Sequence, residues 1–330
     1  MQQIPTPGDS ARGASEHALN EQATTHPALL AAVIASTLTL WASAFPAIRV
    51  ALRGGETGGG YSPEHIALGR YLVASLVLGI VAVARRQALP SRRDWPAIAL
   101  MGFLGFSVYN VALNKGEVLI SAGVASFLIN TAPVWTLLLA TVFLGERLSF
   151  WGWAGIALSF CGIGLLALGE RHAQSAQDGL RGALLVLLAA VAASVYTILQ
   201  KQFLKKYDAL PLISSVIWAG TALLLVFAPG ISDAVGQASP GATISIVYMG
   251  IFPAALAYVL WAWILVRVPI SLAVSFIYVV PVLTTAISWL WLGETLSTRA
   301  FLGGIIALGG VVLVNMRGKV TGGVGDKVTR

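Results

Sequence analysis

"VFLGERLSFWGW" (Val142–Trp153) and "LWLGETLSTRAF" (Leu290–Phe301) are two statements of one phrase. Leu144, Gly145, Glu146, Leu148 and Ser149 return as Leu292, Gly293, Glu294, Leu296 and Ser297, each 148 positions later. The register holds upstream, where Ala125, Pro133 and Thr136 answer to Ala273, Pro281 and Thr284. It holds downstream too, where Gly155 and Gly162 answer to Gly303 and Gly310. A register kept over this length reports a duplicated unit rather than a short shared motif.

The setting of the phrase decides what the unit is. Of the 330 residues 57% are hydrophobic and only 11% charged, against about 25% charged in ordinary globular domains. Mean hydropathy is +0.80. So few charges cannot build a water-facing surface, and lipid is the solvent for most of the chain. A helix needs about 20 mostly apolar residues to cross a bilayer. Ten such runs can be drawn, near 28–51, 63–84, 95–114, 118–144, 149–169, 180–202, 209–229, 241–265, 269–292 and 297–316. They are too long and too little alternating for barrel strands. The first phrase joins runs four and five, the second runs nine and ten. The expected fold is therefore an all-α integral membrane protein of ten transmembrane helices, built as two five-helix repeats, 28–169 and 179–316, with a connecting loop at 170–178. Five is odd, so the second copy enters the membrane upside down and the repeats are inverted. Residues 1–27 and 317–330 are polar or Gly- and Lys-rich and are expected to be disordered cytoplasmic tails. Ala42-Ser43-Ala44 imitates a signal-peptidase site, but the apolar run continues through Val50 and no basic region precedes it.

Orientation follows the basic residues. With the N-terminus inside, inner segments hold 14 of the 21 Lys and Arg, outer segments hold 6 (Arg49, Arg53, Lys115, Arg171, Arg181, Arg299), and Arg70 lies within the second run. Both termini are expected to be cytoplasmic, in the inner (plasma) membrane. The net charge of +7 thus reflects topology, and no nucleic-acid partner is expected. Cys161 is expected to pack as a small apolar residue. No Cys/His spacing suggests a metal, and no cofactor is expected. A membrane-embedded enzyme would need a cluster of acid, base or nucleophile near one interface, and the four histidines are scattered. A non-transporting scaffold would not need matched prolines in its two halves.

Ten helices, a duplicated five-helix unit and a "Pro … Leu-Gly-Glu" ending on runs four and nine resemble the EamA branch of the drug/metabolite transporter superfamily. "LWASAFPAIRV" (Leu40–Val50), "IALGRYLVA" (Ile66–Ala74) and "YVLWAWILVRVPISLA" (Tyr258–Ala273) resemble it as well, and the likeness covers nearly all of 28–316. It implies a carrier of a small-molecule substrate; the family moves many metabolites, and the aromatic amino-acid exporters of the YddG type are the nearest subgroup. It also implies a substrate site using helices one and eight, which singles out Trp41 and Trp261.

Polar faces add the other candidates. Ser107, Asn110 and Asn114 share one face of run three, with Tyr109 beside it; Ser126 and Asn130 share one in run four; Ser271, Ser275 and Tyr278 share one in run nine. Ser43 and Tyr258 complete the expected substrate-binding set of Trp41, Ser43, Tyr109, Asn110, Asn114, Asn130, Tyr258, Trp261, Ser275 and Tyr278. Single serines and threonines among these faces are read first as helix–helix hydrogen bonds, worth roughly 0.6 kcal/mol each. Aromatic walls with uncharged polar groups suit a zwitterion with an apolar or aromatic side chain. Strongly anionic substrates would want embedded Lys or Arg partners. No carboxylate or histidine sits at the centre of a run, so uniport is favoured over proton coupling. The alternative is proton-coupled efflux of drugs or other metabolites. Pro133 and Pro281 are expected as symmetry-related hinges. Arg70 is read as structural, reaching for the interface or for helix-end carbonyls. The protein is expected to be a monomer in the lipid bilayer.

Overall fold

The computed structural model describes residues 27–54, 59–144, 148–169, 175–268 and 276–317. Both tails lie outside these, as do Gly145, Glu146, Ser271 and Ser275. Among the described residues everything regular is helical. In chain order the helices are α1 (Pro27–Arg53), α2 (Pro63–Ala84) and α3, which runs over Arg92–Leu119. α4 is broken into Ala122–Ile129 and Ala132–Leu144, and α5 is Phe150–Gly169. Then follow α6 (Ala176–Phe203), α7 (Ala209–Leu224), α8 (Pro240–Met249 continuing to Arg267), α9 (Val280–Leu292) and α10 (Thr298–Arg317). Among the described residues nine helices are long and apolar enough to cross a membrane, and α9 is a shorter apolar helix. Their outward faces carry large apolar side chains such as Leu76, Ile80, Leu168 and Leu290, as a lipid solvent requires. Trp151, Trp153, Trp289 and Trp291 are exposed near helix ends, where indoles sit at headgroup level. Cys161 is exposed on α5 and does not pack inward as expected.

The spacing of 148 reappears in the geometry. α3 and α8, the second piece of α4 and α9, and α5 and α10 each begin and end 148 residues apart. α3 contains a π-turn at Phe103–Val108 and α8 one at Gly250–Leu256. The turn at 130–131 that breaks α4 has its counterpart at 278–279, before α9. Contacts between halves come in exchanged pairs: α3 packs on α6 as α8 packs on α1, and α9 packs on α1 as α4 packs on α6.

The tightest seam is α5 against α10. A Cβ on Gly155 would lie 2.8 Å from the Gly310 carbonyl oxygen, and one on Gly162 would lie 2.6 Å from that of Gly303. Shifting either pair by the repeat spacing and exchanging its members gives the other pair. The residue numbers rise on one helix as they fall on the other, so the equivalent helices run antiparallel. Small residues let backbones approach this closely in lipid, where dispersion contacts rather than a hydrophobic drive hold helices together.

Two contrasting ends result. Arg49, Glu64, Lys115, Glu117 and Glu294 gather at one, where Lys115 Nζ lies 2.7 Å from Glu64 Oε1. At the other, Lys206 pairs with Asp94 Oδ2, and Tyr207 donates to the same oxygen. The bond to Asp94 holds the lysine above its ordinary pKa range. α1 starts and α10 finishes at this second end. α6 starts at Ala176 rather than near 180, run four is broken at 130–131, and the boundary between runs three and four is displaced. Lys115 and Glu117 read as the polar stop of run three, yet α3 continues to Leu119 and α4 starts only at Ala122, capped by Ser121. The ion pair to Glu64 and the burial of Glu117 keep those residues inside the helix.

Candidate functional site

A chain of rings crosses the middle of the molecule. Trp41 on α1 lies 5.2 Å from Trp261 and 5.8 Å from Tyr258, both on α8. Phe106 on α3 lies 5.8 Å from Tyr258, 5.2 Å from Tyr71 on α2 and 5.5 Å from Tyr196 on α6. Both repeats contribute. The π-turns explain the placement. Each admits one extra residue per turn and so re-aims the side chains that follow; Phe106 lies inside one and Tyr258 just after the other.

Polar groups adjoin the rings. Asn110 is fully buried; its Nδ2 donates to Tyr71 OH (3.0 Å) and to the Phe106 carbonyl (2.9 Å), and its Oδ1 accepts from Arg70 Nη1 (3.3 Å). Arg70 is 7% exposed. It neither reaches an interface nor bonds a helix-end carbonyl, and its partner is a side chain in the next helix. Asn114 Nδ2 donates to the Pro63 carbonyl (2.9 Å). Ser43 and Tyr248 share a hydroxyl–hydroxyl bond of 2.6 Å. Tyr109 is half-buried against the α1–α6 core.

Other expected members lie elsewhere. Asn130 sits at the break in α4 and turns back to the Ser126 carbonyl (2.8 Å). Tyr278 sits at the matching break before α9, accepts from Asn315 and packs in a separate cluster with Val134, Leu137 and Ile156. Ser275 lies outside the described residues. Pro133 and Pro281 each occupy the second position of a helix that restarts after a break. Proline costs little there, because the first-turn N–H has no intrahelical partner to lose. The prolines thus mark interruptions between helix pieces, not kinks within a continuous helix.

The repeated phrase has a structural task. Leu292 ends α9, and Gly293 adopts φ 65°, a left-handed conformation that glycine takes without strain. The Glu294 N–H closes back on the Ser288 carbonyl at 3.2 Å, a Schellman stop. The Glu294 side chain then reaches Arg49 Nε (3.0 Å) and Arg53 Nη2 (3.0 Å), while its second oxygen accepts from the Ala122 N–H (3.4 Å). Arg49 and Glu294 are both buried, and Arg49 also donates to the Glu117 carbonyl. α1, α3, α4 and α9 are locked together at this end, beside a hollow of about 310 Å³ lined by Arg49, Arg53, Tyr61 and Pro63. Sequence reasoning missed this lock, since its partners stand 245 residues apart. Repetition of the Leu-Gly-Glu wording in the two halves was the available signal.

With the geometry in hand, relatives decide the family. A sequence model described as the EamA-like transporter family matches residues 26–168 and again 180–316. This chain belongs to the EamA-like transporter family. It is therefore a multi-pass membrane transporter of a small molecule and not an enzyme. It is 42% identical over 278 residues to an uncharacterized transporter, YdfC, of Bacillus subtilis, covering 84% of this chain and 88% of that one. It is 40% identical over 281 residues to a probable terminal-alkyne amino-acid exporter of Streptantibioticus cattleyicolor, covering 85% and 91%. A solved crystal structure 19% identical, covering 87% of this chain and 96% of its own, superposes with a TM-score of 0.55 and supports the fold. The double match gives each half of this EamA-like chain one copy of the family unit.

Proposed function

We propose that this EamA-like protein exports small neutral metabolites, amino acids foremost and those with apolar or aromatic side chains in particular, by alternating access. The ring chain Trp261–Trp41–Tyr258–Phe106 carries the reading. Rings from both halves meet there beside hydroxyl and amide groups and the Arg70 guanidinium. Offset and edge-on ring contacts favour an aromatic or apolar side chain by about 0.5–1.5 kcal/mol per pair beyond area burial. The relative named as an amino-acid exporter supports the substrate class. Ten spans arranged as inverted repeats, with both termini cytoplasmic in the plasma membrane, fit the antiparallel α5–α10 seam and the basic-residue bias. In this arrangement the Arg49–Glu294 lock closes the outer end, and rocking of one repeat against the other about the seam opens each side in turn. Pro133 and Pro281, at matched breaks, are the hinges. No carboxylate or histidine sits at a span centre, and buried Glu117 stands in the last turn of α3, so uniport is favoured over proton coupling.

The test is transport by purified protein in liposomes. A panel of neutral amino acids and lipophilic cations is offered with and without a pH gradient. Neutral amino acids are expected to move in both conditions. Movement of cations alone, or strict dependence on the gradient, would favour proton-coupled drug efflux instead.

A further inference from the structure

Arg49 and Arg70 are both more than nine-tenths buried, and they differ in one respect. Arg49 has the Glu294 carboxylate at 3.0 Å. Arg70 has no carboxylate partner among the described residues; Nη1 meets the Asn110 amide oxygen, and Nε meets nothing. A guanidinium is a permanent cation, and leaving one buried and unpaired is strongly unfavourable. The face of α3 that Arg70 meets is unusual in the same way. Asn110, Asn114 and Glu117 fall at i, i+4 and i+7 on that face. Among the described residues Asn114 Oδ1 and both Glu117 carboxyl oxygens are buried without a partner, and Glu117 has no exposed surface. The row therefore offers a cationic donor at one end and three acceptors toward the other. Asn110, which Arg70 Nη1 meets, and Glu117 are separated by roughly 10 Å along the helix axis at 1.5 Å per residue.

We infer that the α2–α3 face is a zwitterion site, with Arg70 taking a substrate carboxylate and Glu117, helped by Asn114, taking its ammonium group. A planar guanidinium fork matches a carboxylate in a bidentate manner, and a carboxylate with a neighbouring amide oxygen matches the three donors of an ammonium. The bound zwitterion supplies the Arg70 guanidinium and the Glu117 carboxyl oxygens with the hydrogen-bond partners they lack among the described residues. A molecule lacking either charge would leave one pole unpaired, so the site selects α-amino acids over their amines and their acids. The ring chain adjoining Arg70 through Tyr71 and Phe106 receives the side chain.

This inference rests on the amino-acid reading above, and one experiment separates the two. Transport in liposomes is compared for L-phenylalanine, its amide (no carboxylate) and 3-phenylpropionate (no ammonium). The wild type is expected to prefer phenylalanine over each analogue by at least about tenfold, since a site with buried polar groups rejects an analogue that leaves them unpaired. Arg70→Gln is expected to collapse the preference over the amide and retain that over phenylpropionate. Glu117→Gln is expected to do the reverse. Wild-type transport of either analogue at the phenylalanine rate overturns the site, and needs no variant to fold. So do variants that keep both wild-type ratios. A wild type that moves other solutes but no amino acid overturns the functional reading, and the site falls with it.

Discussion

Glu294 gathers two guanidinium groups and a helix-start N–H onto one buried carboxylate. Removing one member of a buried pair typically costs about 3–5 kcal/mol, because the other is left unpaired. In a carrier that cost falls on the conformation in which the pair exists. Glu294→Gln is therefore expected to shift the protein toward the state open at this end. Ala122 is fully buried beside the lock, so Ala122→Cys, in a Cys161→Ser background, reports the shift. Maleimide labelling is expected to be slow while Glu294 is present. It is expected to be at least about fivefold faster in the Glu294→Gln variant, the scale of a bias of about 1 kcal/mol. Equal rates would show that the lock does not set the equilibrium. At this scale the sequence was legible where chemistry is local. The family resemblance singled out Trp41 and Trp261, residue type added Tyr258, and the structure brings the three rings together. Arg70 and Glu117 were misjudged because burial and partner depend on neighbours from other helices, which a linear pattern does not contain.

The helices make sharper tests because each carries its own control. A Cβ on Gly162 would lie 2.3 Å from the Ala307 backbone nitrogen, whereas one on Gly164 meets nothing within 4 Å. Backbone cannot step aside as a side chain can, so Gly162→Ala must part α5 from α10 and is expected to cost about 1–3 kcal/mol, as overpacking does. Gly164→Ala, on the same helix, is expected to be neutral or to gain up to about 1 kcal/mol from helix propensity. Thermal unfolding in detergent measures both; equal shifts would contradict the seam. The matched breaks give a second test. Pro133→Ala and Pro281→Ala each remove the ring that disfavours helical geometry at the preceding residue and let the helix extend across the break, so each is expected to stiffen its helix, hold or raise the melting temperature, and lower turnover. Wild-type turnover in both variants would reduce the prolines to static features. Helix existence was readable from apolar run length, and so was the repeat. The π-turns were not: nothing in "FLGFSV" marks one, and Pro253 in "GIFPAAL" signals an interrupted ladder without saying which kind. The boundary between α3 and α4 was displaced because charged residues mark a helix end only when they are left in water.

Across the whole molecule, pairs exchanged by a spacing of 148 residues join the two halves. Topology follows. Reporters fused after Gly318 are expected in the cytoplasm, and reporters in the 232–239 segment, which lacks Lys and Arg, on the opposite side; both on one side would rule out an inverted second half. An antiparallel seam between equivalent helices is the arrangement that the proposed alternating access needs, because exchanging the conformations of the halves would turn one facing state into the other. Such a carrier returns faster loaded than empty whenever the empty return is slow. The most direct measurement is counterflow: entry of labelled phenylalanine into liposomes holding protein, with and without unlabelled phenylalanine inside, at equal pH on both sides. Entry accelerated by the internal amino acid, with no pH gradient, is the expected result. No phenylalanine entry above protein-free liposomes under either condition would contradict amino-acid transport by alternating access.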